Sequence, residues 1–356
     1  MHRKNYKILI CLLCVLVSCV KDAPPVRNTT APVNKKGVYI VCEGAYGSGN
    51  GSLYFYNPLT GIVFGDVYSG ANGHPPGDVF QSMTRIGGRY FMAINNSQKV
   101  IVTDTGTLKL ISVIKIPFPR NILPVSNTTA YISTLFSNKV YVLNTTPATV
   151  QDSIIMPTAN PEGMCIYDHY AFICTWDTAT QNIYKVDITT NKIMQTIKVA
   201  GYAPHNALID KEQKLWVLSG NKTKGKGAAW TIIDPSSGNI LNSFIFPAGA
   251  DPIKPVFNYT KDTLYYIEPD YNGGVTNNGI YRMGITAQSL PSQPFVAAQA
   301  NQYFWAIGID PATGYIYTGD PKGFNQSGVV TIYRQDATAI SSFKVGIGPG
   351  AFYFGE

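Results

Sequence analysis

The feature that most constrains this chain is a strand-and-turn unit that recurs about every 46 residues. An apolar run followed by a polar turn reads LYFYNPLTG (53–61), VIVTDTGT (100–107), VYVLNTTP (140–147), IYKVDITT (183–190), WTIIDPSS (230–237), IYRMGITA (280–287) and VTIYRQDA (330–337). Aligned on Asn57, Asp104, Asn144, Asp187, Asp234, Gly284 and Arg334, successive copies lie 47, 40, 43, 47, 50 and 50 residues apart. Five of the seven carry Asn or Asp at the turn, where a short polar side chain can accept hydrogen bonds from the backbone that follows.

A second apolar strand precedes each of these, from VYIVCEG (38–44) and YFMAIN (90–95) to LYYIEP (264–269) and YIYTGD (315–320). Most are apolar on both pleat faces. A sheet with one wet face would alternate, so these strands are packed on both sides. A further strand follows each turn, as in KIMQTIKV (192–199), and another opens each unit after a Pro- or Gly-containing loop, as in PEGMCIYD and PHNALIDK. Four strands in a period of 40–50 residues predict an all-β fold, a seven-bladed β-propeller of four-stranded antiparallel blades. The abundance of Tyr (23 residues) beside only 14% charged residues suits sheet better than helix. The chain ends in GPGAFYFGE (348–356), a first strand without its second, and GVYIVCEG (37–44) is a second strand without its first. Pairing the C-terminal strand with the N-terminal strands would close the ring and remove an exposed sheet edge.

The N-terminus reads differently. Arg3, Lys4 and Lys7 precede an apolar run from Ile8 to Val17, too short to span a bilayer, and Leu16-Val17-Ser18-Cys19 resembles the lipobox of bacterial lipoproteins. Residues 1–18 are therefore expected to be a lipoprotein signal peptide. Residues 19–36 would be a lipidated Cys19 with a flexible tether rich in Pro, Thr and Asn, and 37–356 a single propeller domain. Losing three basic residues takes the net charge from +7 to +4, with no basic block, so nucleic acid is not an expected partner. In the domain, Cys42, Cys165 and Cys174 have neither disulfide-framework nor metal-site spacing. They read as buried free thiols, with a Cys165–Cys174 bridge as the alternative.

In a propeller, the loops from fourth to next first strand and from second to third strand share one face around a central funnel. Those loops supply the aromatics Tyr46, Phe136, Trp176, Tyr271, Tyr303, Trp305 and Phe324, and the polar residues His74, Asp78, Arg120, Glu162, Asp177, His205, Asn206 and Asp251. Tyr and Trp offer large contact area at low entropic cost, which suits a flat ligand or a protein surface. The sequence contains no G-x-S-x-G elbow, H-E-x-x-H, P-loop or EF-hand loop. A non-catalytic binding protein without a cofactor is the first reading. A metal-dependent hydrolase or lyase using His74, His205 and Glu162 is the second, and a surface-layer or adhesive protein binding a glycan or protein is the third.

The segments EGAYGSGNGSLYFYNPLTG (43–61), ANGHPPGDVFQSM (71–83), PEGM (161–164), KLWVLSG (214–220) and ISSFKVGIGPGAFYF (340–354) resemble the YncE-like, or surface-layer-like, propeller lipoproteins of Bacteroidota. The resemblance spans the whole domain. It implies an outer-membrane lipoprotein exposed at the cell surface, a monomer or subunit of a transporter complex. Its ligand would be a corrinoid such as cobalamin, passed to a TonB-dependent outer-membrane transporter.

Overall fold

The computed structural model describes residues 36–355 and the backbone of residues 26 and 27; the expected leader, Cys19 and most of the tether lie outside the described residues. Seven sheets succeed one another along the chain. The second to seventh blades each contain four antiparallel strands in chain order, such as Pro161–Tyr167, Tyr170–Thr175, Asn182–Asp187 and Lys192–Lys198 of the fourth. In the first blade Gly37–Cys42 lies between Ser52–Asn57 and the C-terminal strand Pro349–Gly355, with Val38 opposite Phe354 and Ile40 opposite Phe352. The expected closure is therefore real: the first and last strands of the propeller share one sheet. The two-residue strand Val26–Arg27 adds a parallel outer edge beside Ile62–Phe64.

The burial follows the sequence pattern. Gly37–Cys42 is buried at every position, and Arg89–Ile94 and Tyr170–Thr175 at all but the first. Outer strands such as Lys192–Lys198 expose alternate residues instead. Apolar clusters fill the spaces between neighbouring blades. One joins Phe91, Val100 and Val102 of the second blade to Ile122, Ala130 and Ile132 of the third. The repeat turns behave as their Asx residues require: Asn57 Oδ1 accepts from the Leu59 amide at 3.0 Å, Asp187 Oδ1 from Thr189 at 2.9 Å, and Asp234 Oδ1 from Ser236 at 2.9 Å. Cys42, Cys165 and Cys174 are free thiols.

Two departures from the regular repeat matter. Residues Val67–Asn72 form a short helix, α1, capped by the Asp66 carboxylate and ended by Gly73 at φ 77°. The outer strand of the sixth blade is only Val296–Ala297.

Candidate ligand-binding site

A single device, repeated around the ring, builds the site. Six blades begin their innermost strand at Phe80, Pro119, Pro161, Pro204, Ile253 or Pro349, and each of these strands shifts register against its neighbour within the first few residues. Such bulges re-aim a side chain at the end of a sheet. The second residue of each strand is Gln81, Arg120, Glu162, His205, Lys254 and Gly350, and all six line one central cavity of about 1050 Å³. Trp305, just before the innermost strand of the seventh blade, completes the circle. The backbone immediately ahead of these strands is left-handed at Val79, Phe118, Asn160, Ala203 and Gly348. Only Gly348 takes that conformation without steric cost.

Two ion-paired groups line the cavity. Arg120 Nε donates to both oxygens of Glu162 at 2.8 and 3.1 Å, and Nη2 adds a third bond at 2.9 Å. Its Nη1 donates to Gln81, and Asn121 Nδ2 donates to Glu162 at 3.3 Å. Burial works against the Arg120 charge, yet Glu162 raises its pKa above the ordinary arginine value. In the other group Glu43 Oε1 accepts from Trp305 Nε1 at 2.9 Å and from Lys254 Nζ at 3.3 Å. Lys254 Nζ also donates to the Gly350 carbonyl at 2.6 Å and lies 4.9 Å from the Trp305 ring centroid. Burial pushes the His205 imidazole below its usual pKa, and its Nδ1 lies 2.8 Å from Asn206 Oδ1.

Aromatic rings form an arc on one wall. Tyr271 meets Tyr303 edge-on at 5.5 Å and Trp305 at 6.4 Å, and Trp305 meets Phe324 edge-on at 5.5 Å. Tyr271 OH donates to Asp251 at 3.1 Å; burial first, then Asp251, raises the pKa of that phenol. Trp176 approaches His205 at 6.3 Å and donates from Nε1 to the Gly220 carbonyl at 3.2 Å.

Eleven of the residues singled out from the sequence therefore line one cavity: Tyr46, Arg120, Glu162, Trp176, His205, Asn206, Asp251, Tyr271, Tyr303, Trp305 and Phe324. Four do not. Helix α1 carries His74 outside the lining, edge-on to Tyr68, with Nδ1 2.9 Å from the Pro75 carbonyl. Asp78 is buried and accepts from the Gly47 amide at 2.8 Å, from Asn96 and from its neighbour Val79. Asp177 accepts from the Ala179 and Ala159 amides at 2.9 and 3.3 Å, and so organises its own loop. Phe136 is 75% exposed and packs edge-on against Phe118. The metal set suggested by the sequence does not assemble: His74 is elsewhere and Glu162 is engaged by Arg120. Among the described residues no three His, Cys, Asp or Glu side chains gather as a metal site.

Residues 36–345 match the family described as "Domain of unknown function (DUF5074)". The chain belongs to that family. No curated protein matches the sequence. Among solved structures, this DUF5074 protein is similar to a quinoprotein alcohol dehydrogenase-like protein of Bacteroides thetaiotaomicron (TM-score 0.68, 12% identity, 90% of this chain and 78% of the other). It is also similar to the hydrazine synthase of Kuenenia stuttgartiensis (TM-score 0.61, 16% identity, 76% and 87%) and to the computationally designed protein Ika8 (0.58, 10%, 89% and 91%). At such identities the likeness is one of fold. The DUF5074 cavity also contains Gln81, Glu43 and Lys254, loop residues that aromatic and histidine content alone do not single out. The signal for two of them lies in the alignment of strand starts, where Gln81 and Lys254 occupy the place of Arg120, Glu162 and His205.

Proposed function

We propose that this protein is a non-catalytic binding protein whose central cavity captures a small, flat molecule with a polar rim. The observation that carries the reading is the pairing inside the cavity. Of the three cations in the lining, Arg120 and Lys254 are already matched to carboxylates and Lys222 is exposed, while the aromatic arc presents apolar surface. A bound molecule then gains from burial against the rings and from hydrogen bonds at the paired groups. The volume of about 1050 Å³ stands at the upper end for small-molecule pockets, which suits a guest at the large end of the small-molecule range.

The ligand we name is a corrinoid, held at the cell surface by a lipid anchor on Cys19 and passed to a TonB-dependent outer-membrane transporter. The resemblance to YncE-like propeller lipoproteins supports this identity. The exposed Tyr46 (79%) and Phe136 (75%) offer contacts for such a partner. Isothermal titration of the protein with a corrinoid panel tests the reading. Saturable heat is expected, weakened at least about tenfold by Trp305→Ala, the usual scale for a central aromatic contact. No heat at micromolar protein would remove the corrinoid, and binding indifferent to Trp305 would remove the cavity.

A further inference from the structure

The central cavity contains one imidazole, and the outer nitrogen of that ring is unused. His205 is second in its inner strand, the repeat position it shares with Arg120 and Glu162, and it lines the cavity. Asn206 Oδ1, 2.8 Å from His205 Nδ1, can only accept, so the ring proton sits on Nδ1 and the Nε2 lone pair is left over. No hydrogen bond to Nε2 forms among the described residues. Burial outweighs Asn206, Glu162 and Asp251 and favours the uncharged imidazole, the form that can give a lone pair to a metal.

The carboxylates of the lining are committed elsewhere. Glu162 is held by Arg120, Glu43 by Lys254 and Trp305, and Asp251 by the Tyr271 hydroxyl. Among the described residues no three His, Cys, Asp or Glu side chains gather, so a free metal ion, which takes about three or four protein ligands, has no cage here. A metal already held in the plane of a macrocycle needs only one further donor, along its axis. His205 can supply that donor. Its Nδ1 hydrogen bond is also the support that metal-ligating histidines have, since it fixes the tautomer and the ring orientation.

We propose that His205 Nε2 is the axial ligand of the cobalt carried by the captured corrinoid. The inference rests on the corrinoid reading given above and adds to it the atom that anchors the guest. A cobalt–oxygen bond to water breaks and a cobalt–nitrogen bond forms. The water leaves whole, so no proton or electron is transferred and the metal keeps its oxidation state.

Two forms of one corrin ring test the ligation: cobinamide with exchangeable water on cobalt, and dicyanocobinamide, in which cyanide blocks both axial positions. Each is titrated into the full chain by calorimetry and by visible absorption, which shifts when nitrogen replaces oxygen on the metal. The water-ligated form should bind with a band shift and at least about tenfold more tightly than the dicyano form, which should bind without one. Losing only the hydrogen-bond partner of a ligating histidine costs about 10–100-fold, so the ligand bond itself should be worth no less. In His205→Ala the shift and the preference for the water-ligated form should both disappear, with the circular dichroism spectrum that of the parent. The comparison of the two probes on the parent protein stands without any variant. No binding of either form would overturn the corrinoid reading and this inference with it. Equal affinities without a shift, or a shift that persists in His205→Ala, would overturn the ligation alone.

Discussion

The two halves of the central cavity share a repeat position at Arg120, Glu162 and Lys254 but reach their geometry by different routes. In the second to fourth blades, Arg120 meets Gln81 39 residues before it and Glu162 42 residues after it, so each contact joins neighbouring blades. In the other half, Glu43 contacts Lys254 and Trp305 across 211 and 262 residues, and Lys254 holds Gly350 of the last strand. The first half can form as adjacent blades dock. The second exists only once the chain ends have met, after the entropy of closing the longest loop has been lost. Local pairs can thus preorganise one wall, while ring closure sets the other.

Single substitutions sharpen this contrast. Glu162→Gln should have the largest effect, since it leaves the Arg120 guanidinium, 19% exposed, without its bidentate partner. Breaking such a pair costs about 3–5 kcal/mol, and the loss should be read as a lower urea midpoint with unchanged slope. Next comes the pH dependence of the wall behind Asp251. The Glu268 carboxyl rises from 4.5 to about 7 on folding, so the native state holds that proton more tightly than the unfolded chain. Its contribution is most favourable below pH 4.5 and is lost as pH rises through 7, by about 3 kcal/mol at most. Glu268→Gln should therefore flatten the fall in stability between pH 5 and pH 8 seen by chemical denaturation. Glu43→Gln should cost least, about 1 kcal/mol, because Lys254 retains Gly350 and the amide oxygen can still accept from Trp305. If Glu43→Gln proved costlier than Glu162→Gln, the contrast between the halves would be reversed.

Much of the fold was legible because a propeller writes its period into the chain. The Asx turns at Asn57, Asp187 and Asp234, the doubly buried second strands and the unmatched end strands are each visible as residue patterns, and each has its expected place. The site was legible as a set of loops, less so as a set of side chains. Which loop residue enters the cavity depends on the bulge at the start of each inner strand, and a bulge shifts the alternation that periodicity relies on. Lys254 and Gln81 are brought in by that device. His74 is taken out by α1, a helix of six residues in a stretch otherwise read as loop. Asp78 and Asp177 carry chemistry that loops use for themselves: their carboxylates accept backbone amides before any ligand arrives.

Ring closure fixes Glu43, Lys254 and Trp305 to the extent that the seam is as firm as the continuous blades. Native-state hydrogen exchange tests it by comparing amides of Ala351–Phe354 with those of Met164–Tyr167, the inner strands of the first and fourth blades. Both sets are expected to exchange only through global unfolding, with equal free energies. Exchange of the C-terminal strand through a local opening, well below the free energy of the fourth blade, would contradict it.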